Sequence, residues 1–87
     1  MSIEQTLAER AKTHGHFESH AQICQALTQM ARSSHGWHSL EDDQREALEM
    51  VFHKIARILN GNPNVHDHWH DIAGYSTLVA NRLGKPG

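Results

Sequence analysis

Two aspartates, Asp67 and Asp71, lie four residues apart in a stretch with helical character. Residues at this spacing project from one helix face, so both carboxylates face the same side. The like charges repel by roughly 0.2–0.5 kcal/mol, which a bound cation would relieve. A hard divalent ion such as Mg²⁺ binds one or two carboxylates together with phosphate oxygens. The pair is therefore a candidate Mg²⁺ site; the alternative is that Asp67 caps the helix and Asp71 is solvated.

Two cations, Lys54 and Arg57, precede this acidic pair and stand three residues apart. Both can reach one phosphate group, Arg57 with a planar fork of donors and Lys54 as a point charge. Tyr75 and Trp69 are aromatic side chains on which a nucleobase can stack, although such residues also serve in cores. The three residues Lys54, Arg57 and Tyr75 are therefore candidate phosphate or nucleotide ligands, and surface decoration is the alternative for the cations.

A second acidic pair, Glu46 and Glu49, belongs to the same helical stretch as the cations. It is a candidate for further metal ligands. Both carboxylates lie opposite the apolar stripe of that helix, on the side that water covers in a monomer. They can line a site only where a second chain or a bent neighbour covers them.

Nine histidines in 87 residues add candidate ligands for softer metals. His66 and His70 have the four-residue spacing that chelates Zn²⁺, Ni²⁺ or Cu²⁺, but no third ligand follows from the sequence. His20 lies inside an apolar stripe, either as a hydrogen-bonded residue at the core edge or as a ligand or proton-transfer group. The single cysteine, Cys24, is expected to be buried as a small apolar side chain.

Apolar residues at helical spacing predict four helices, at about 3–13, 18–33, 39–60 and 66–83. Ser39 and Asp67 are the expected N-caps of the third and fourth, and Gly15 is expected to end the first with a positive φ. The third helix has the strongest apolar face and should be central: Ala47, Leu48, Val51, Phe52, Ile55, Ile58 and Leu59. The second has a broad face: Phe17, His20, Ile23, Cys24, Leu27, Met30 and Ala31.

These elements predict an all-α fold, a small four-helix arrangement that forms either an up-down bundle or two helical hairpins. The length predicts one domain over residues 1–87, with 84–87 as a frayed tail. A chain this short has a thin core, so self-association is expected.

The formal charge of −2 offers no basic field for a nucleic-acid polymer. No apolar run approaches the roughly 20 residues that span a bilayer. One cysteine excludes a disulfide within the chain and fits a reducing cytoplasm, so a cytoplasmic protein is expected.

Two segments resemble a set of small phage and prophage helical proteins of unassigned function. They are Lys54-Ile55-Ala56-Arg57-Ile58-Leu59 and Asp67-x-x-x-Asp71-Ile72-Ala73-Gly74-Tyr75. The turn His14-Gly15-His16-Phe17 is similar to a Gly-Asp/His-Phe turn of those phage proteins. More distantly, the chain resembles the nucleotide-modification-associated helical domain and the MazG-like all-α nucleoside triphosphate pyrophosphohydrolases.

The MazG-like resemblance implies that acidic residues on two helices bind Mg²⁺ and that the metal helps to hydrolyse the α–β phosphate bond of a nucleotide. Asp67 and Asp71 would match the second acidic pair, and Glu46 and Glu49 the first. The usual longer acidic run is missing at the first pair. The resemblance further implies that three residues bind the phosphates or close the site: Lys54, Arg57 and Tyr75.

The residue patterns and the resemblance together imply three alternative functions. The first is a phage-type, MazG-like nucleotide-binding protein with Mg²⁺-dependent pyrophosphohydrolase activity, acting in the host cytoplasm. The second is a non-catalytic phage protein that sequesters a nucleotide, such as a cyclic defence signal. The third is a structural or interaction protein whose helices assemble. Mg²⁺-dependent turnover distinguishes the first from the second, and a lack of nucleotide binding would favour the third.

Overall fold

The computed structural model describes residues 2–85 and contains four α-helices within them, with no strand. The helices are α1 (Ile3–His14), α2 (Phe17–Arg32), α3 (Asp42–Asn60) and α4 (His66–Leu83), and a 3₁₀ turn (Trp37–Ser39) precedes α3. The predicted all-α fold with four helices is confirmed. Of the predicted tail, Gly84 and Lys85 follow α4 in a turn, and 86–87 lie outside the described residues.

Helix α3 is the centre of the structure, as its apolar periodicity predicts, because both α2 and α4 pack along it. Helix α1 makes smaller contacts with α2 and α3 and contains no buried residue. A capping box between Ser2 and Gln5 fixes its first turn. Between residues 2 and 85, no helix combines the length and apolar character that a bilayer crossing requires.

Two predicted N-caps are wrong. Helix α3 begins after Glu41, whose side chain forms a capping box with Gln44, while Ser39 belongs to the 3₁₀ turn. That turn is held in place by Arg45, which donates hydrogen bonds to the carbonyl oxygens of residues 37, 38 and 40. Helix α4 begins after Val65, so Asp67 lies within the first turn and caps nothing.

The buried residues differ in part from the predicted apolar faces. Leu59, Met30 and Phe17 are exposed, although each belongs to a predicted apolar face. In contrast, Trp37 is buried in the 3₁₀ turn and His68 is buried in α4. Burial of Cys24 is confirmed.

The turn between α1 and α2 is fastened to the C-terminal end of α3. The side-chain amide of Asn60 donates hydrogen bonds to the carbonyl oxygens of His14 (2.9 Å) and His16 (2.8 Å). Gly15 has a φ of 76°, which confirms the predicted positive φ. A Cβ atom at Gly15 would collide with the backbone of Asn60. This junction places α1 and the start of α2 beside the last two turns of α3.

Candidate functional site

A groove of about 600 Å³ lies where α1, the α1–α2 turn and α2 meet α3. Side chains from three helices therefore face one space, although they are up to 50 residues apart in the sequence. The groove is lined by Leu7, Arg10, Ala11, His14, Gly15, His16, Phe17, His20 and Arg57.

The groove is cationic because it contains Arg57 from α3 and Arg10 from α1. Within residues 2–85, no carboxylate lies within 4.0 Å of either guanidinium. Guanidinium groups bind carboxylate and phosphate oxygens through parallel hydrogen bonds. Two such groups without an ion-pair partner, beside a groove of this size, form an arrangement suited to an anion.

Histidines His14 and His20 form part of the groove wall, and His68 lies behind them with its ring centroid 5.1 Å from that of His14. Burial lowers the pKa of all three imidazoles, and the charge of Arg57 lowers each further. These rings are therefore mostly neutral at pH 7. Neutral imidazoles can donate or accept a hydrogen bond, so the fixed positive charge of the groove resides on the arginines.

Phe17 is an aromatic residue at the edge of the groove, and 79% of its surface is exposed. Its ring stacks on His20 with a centroid distance of 6.2 Å. An exposed aromatic face next to two guanidiniums offers a stacking surface for a planar group of a ligand.

The predicted ligand Lys54 forms an ion pair with Asp71 that joins α3 to α4. The Lys54 Nζ atom lies 2.8 Å from a carboxylate oxygen of Asp71. Lys54 is buried, whereas the Asp71 side chain is 41% exposed. The hydrogen bond from Lys54 is the main cause of the lowered pKa of Asp71. Lys54 therefore neutralises a predicted metal ligand and does not line the groove.

The other predicted metal ligands are spread over the surface of one chain. Asp67 is exposed, and its carboxylate lies 3.5 Å from the His66 ring. Glu49 forms an ion pair with Arg32 at 3.0 Å, and Glu46 is exposed. No three of the four acidic residues gather within 4.8 Å of one another in the described part of the chain. Their binding of Mg²⁺ stays a prediction, which would require a second chain to contribute.

The predicted aromatic ligands also lie away from the groove. Tyr75 is half-buried on α4, one turn after Asp71. The indole of Trp69 donates a hydrogen bond of 2.7 Å to the carbonyl oxygen of Pro63, so it braces the α3–α4 turn. His66 and His70 stack on the exposed start of α4, with ring centroids 5.4 Å apart.

A family model described as a domain of unknown function, DUF6378, matches residues 3–83, which include all four helices. The chain belongs to the DUF6378 family. No curated protein and no solved structure matches the chain. Membership in DUF6378, a domain of unknown function, specifies no activity.

Of the predicted phosphate and Mg²⁺ ligands, only Arg57 lines the groove of this DUF6378 chain, and His20, a possible ligand by its sequence position, lines it too. The sequence patterns did not single out Arg10 or Phe17 as ligands. The one sequence feature that pointed to this groove was Gly15. The turn at Gly15 joins α1 to α2 and brings the residues on either side of it together. The contact of that turn with Asn60, 44–46 residues further along the chain, could not be predicted from local patterns.

Proposed function

We propose that this DUF6378 chain binds a nucleotide in the groove between α1, α2 and α3. Arg57 and Arg10 would bind the phosphates, and the base would stack on Phe17. The histidines of the groove wall would supply hydrogen bonds to the sugar or to phosphate oxygens. The proposal keeps the phosphate role that the sequence predicts for Arg57 and adds residues from α1 and the α1–α2 turn.

The observation that carries the proposal is the pair of guanidiniums beside one groove, without an ion-pair partner among residues 2–85. The whole chain has a formal charge of −2, so these two guanidiniums concentrate positive charge locally on a chain that is negative overall. The nearby exposed aromatic ring favours a nucleotide over inorganic phosphate, since an inorganic ion would not use it.

Isothermal titration calorimetry with linear and cyclic nucleotides, each with and without Mg²⁺, tests this function. We expect Arg57→Gln to weaken binding by at least about tenfold, because it removes a charged hydrogen bond. Arg32→Gln is the matched control, since it removes the same charge from α2 outside the groove. Equal losses in the two variants, or binding unchanged by Arg57→Gln, would refute the groove as the site.

The same titrations separate binding from turnover. Mg²⁺-dependent pyrophosphohydrolysis stays a proposal that the MazG-like resemblance supports and that requires the carboxylates of Asp67, Asp71, Glu46 and Glu49. Because a single chain does not gather these groups, the geometry better supports sequestration of a nucleotide. Release of pyrophosphate that Asp71→Asn abolishes would favour the enzyme, and tight binding without product would favour sequestration. A phage origin with a role against a host signal is likewise a proposal.

We also propose that the chain self-associates, most simply as a symmetric dimer. A second groove, between α3 and α4, is lined largely by apolar side chains: Leu40, Gln44, Ala47, Leu48, Val51, Ser76 and Val79. Two further apolar residues of α4, Leu78 and Leu83, are also exposed. A second copy that covers α3 and α4 would bury this apolar surface.

A further inference from the structure

His20, Cys24 and His53 form a cluster between α2 and α3. One ring nitrogen from each histidine and the sulfur of Cys24 all lie within 4.8 Å of one another. His20 and Cys24 are four residues apart on α2 and so face the same side of that helix. His53 reaches the cluster from α3, and its ring centroid is 5.7 Å from that of His20.

The His20 ring contains an unsatisfied polar atom. Only 8% of this residue is exposed, and its Nδ1 atom is buried without a hydrogen-bond partner. The sulfur of Cys24, one helical turn away, forms no hydrogen bond with this Nδ1 atom either. Leaving a buried polar atom unpaired costs about 1–3 kcal/mol, so such an atom calls for a specific explanation. A bond to a metal ion would satisfy it.

We propose that His20, Cys24 and His53 bind a transition-metal ion of the Zn²⁺ class. Imidazole and thiolate are both ligands of zinc, and open zinc sites combine three protein ligands with a fourth position for water or another ligand. Tetrahedral zinc holds such ligand atoms about 3.5 Å apart. Because the atoms of this cluster lie within 4.8 Å of one another, their separations need to contract by at most about 1.3 Å. The thiol of Cys24 would release its proton to solvent when its sulfur bonds to the metal.

The surroundings of the cluster favour a site with an open position. Cys24 and His20 are buried, whereas His53 is exposed, so an ion can enter from the His53 side. The thiolate would also offset part of the positive charge of Arg57, which acts on His20. Since His20 also lines the groove, a metal ion would lie beside the proposed nucleotide site. The metal site itself depends only on the three ligands and does not require that nucleotide.

The test uses untagged full-length protein, stripped of metal and kept reduced, with no nucleotide present. We expect one Zn²⁺ per chain by calorimetry in competition with a chelator. Co²⁺ should give the near-ultraviolet band of a cobalt–thiolate bond, which only Cys24 can supply. We expect His53→Asn and Cys24→Ala each to weaken Zn²⁺ binding by at least about 100-fold, because each removes a direct ligand.

The double variant His66→Gln/His70→Gln is the matched control, since it removes the exposed pair of histidines on α4. It should retain the stoichiometry and the cobalt band. The proposal is overturned if Zn²⁺ binding disappears in this control, if His53→Asn binds as the wild type does, or if Co²⁺ gives no thiolate band. His53 is exposed, so its replacement does not threaten folding. A failure here leaves nucleotide binding at Arg57 untouched, and the reverse also holds.

Discussion

The ion pair between Lys54 and Asp71 is asymmetric, because the cation is buried and the anion is half exposed. Lys54 has 8% of its surface exposed, whereas the Asp71 side chain keeps 41%. A buried charge without its partner is strongly unfavourable, while an exposed carboxylate without a partner is solvated by water. The two residues therefore contribute unequally to folding, although they make the same contact.

We predict that Asp71→Asn lowers the urea midpoint of unfolding more than Lys54→Met does. The first change leaves the buried ammonium without a counter-charge, and the second replaces it by an apolar chain of similar length. Lys54→Met should stay within about 1 kcal/mol of the wild type. Chemical denaturation at pH 7 in the presence of a chelator measures both. A larger loss for Lys54→Met would mean that the ammonium has a further partner.

Gly15 is the residue at which the backbone depends most on glycine. Its φ of 76° and ψ of −168° fall in a region that only glycine readily occupies. We predict that Gly15→Ala destabilises the protein by at least about 2 kcal/mol, from this backbone strain and the collision with Asn60. Gly74→Ala is the control in α4, where a Cβ meets no atom within 4 Å. It should stabilise by roughly 0.5–1 kcal/mol.

Thermal or urea unfolding of both glycine variants provides the measurement. Similar changes in the two would contradict the special role of the α1–α2 turn. A loss of stability in Gly74→Ala would indicate that a second copy or a ligand approaches α4 at this position.

At the scale of elements, the helices could be predicted where the apolar periodicity is long. The α3 stripe is strong enough to identify the central helix, and the end of α3 at Asn60 follows from Gly61 and Pro63. The start of α3 could not be predicted, because Ser39 is a good cap in isolation and is displaced only by the contacts of Arg45 with the 3₁₀ turn. Those contacts depend on where the Arg45 side chain lies in the folded chain, and not on the capping preference of any single residue.

The candidate site, like the helices, could be predicted from the sequence only in part. Lys54 and Asp71 could be identified as charged residues of neighbouring helices, but the ion pair between them is a finding of the structure. The position of Arg10 could not be predicted, because α1 has a weak apolar stripe and is placed by the junction of Gly15 with Asn60. The pairing of His20 with His53 likewise depends on how α2 lies against α3.

The histidines between α1, α3 and α4 make stability depend on pH. Burial lowers the pKa of His14, and the charges of Arg57, His68, His20 and Arg10 lower it further. Between the lowered folded-state pKa and the unfolded value of about 6.5, the unfolded chain binds more protons. Stability contributed by the neutral ring is therefore complete above pH 6.5 and is lost as the pH falls toward the folded-state pKa.

We predict that the urea midpoint falls between pH 7.5 and pH 5.5 and that His14→Gln reduces this fall. Glutamine can form hydrogen bonds but takes up no proton. The measurement is urea unfolding at a series of pH values with a chelator present. His35→Gln, in the exposed loop after α2, is the control. If His35→Gln reduced the fall as much as His14→Gln does, the pH dependence could not be assigned to the buried ring of His14.

At the scale of the whole molecule, the single chain is too extended for its length. Its radius of gyration is 15.1 Å, whereas a compact chain of this size has about 12 Å. Its accessible surface of 6468 Å² exceeds the roughly 5200 Å² expected of a folded monomer of 9.8 kDa. The excess is larger than the area of about 800 Å² that each partner buries in a standard interface. A second copy is therefore the simplest cover for the exposed apolar surface.

We predict a molar mass of twice 9.8 kDa by light scattering at micromolar concentration. Leu48→Gln, in the groove between α3 and α4, should shift the equilibrium toward the monomer by at least about tenfold, since a dimer places the same leucine in the interface twice. Met30→Gln is the control, because Met30 is exposed on α2 and does not line that groove. A monomeric wild type, or dissociation by Met30→Gln alone, would exclude the α3–α4 face as the contact.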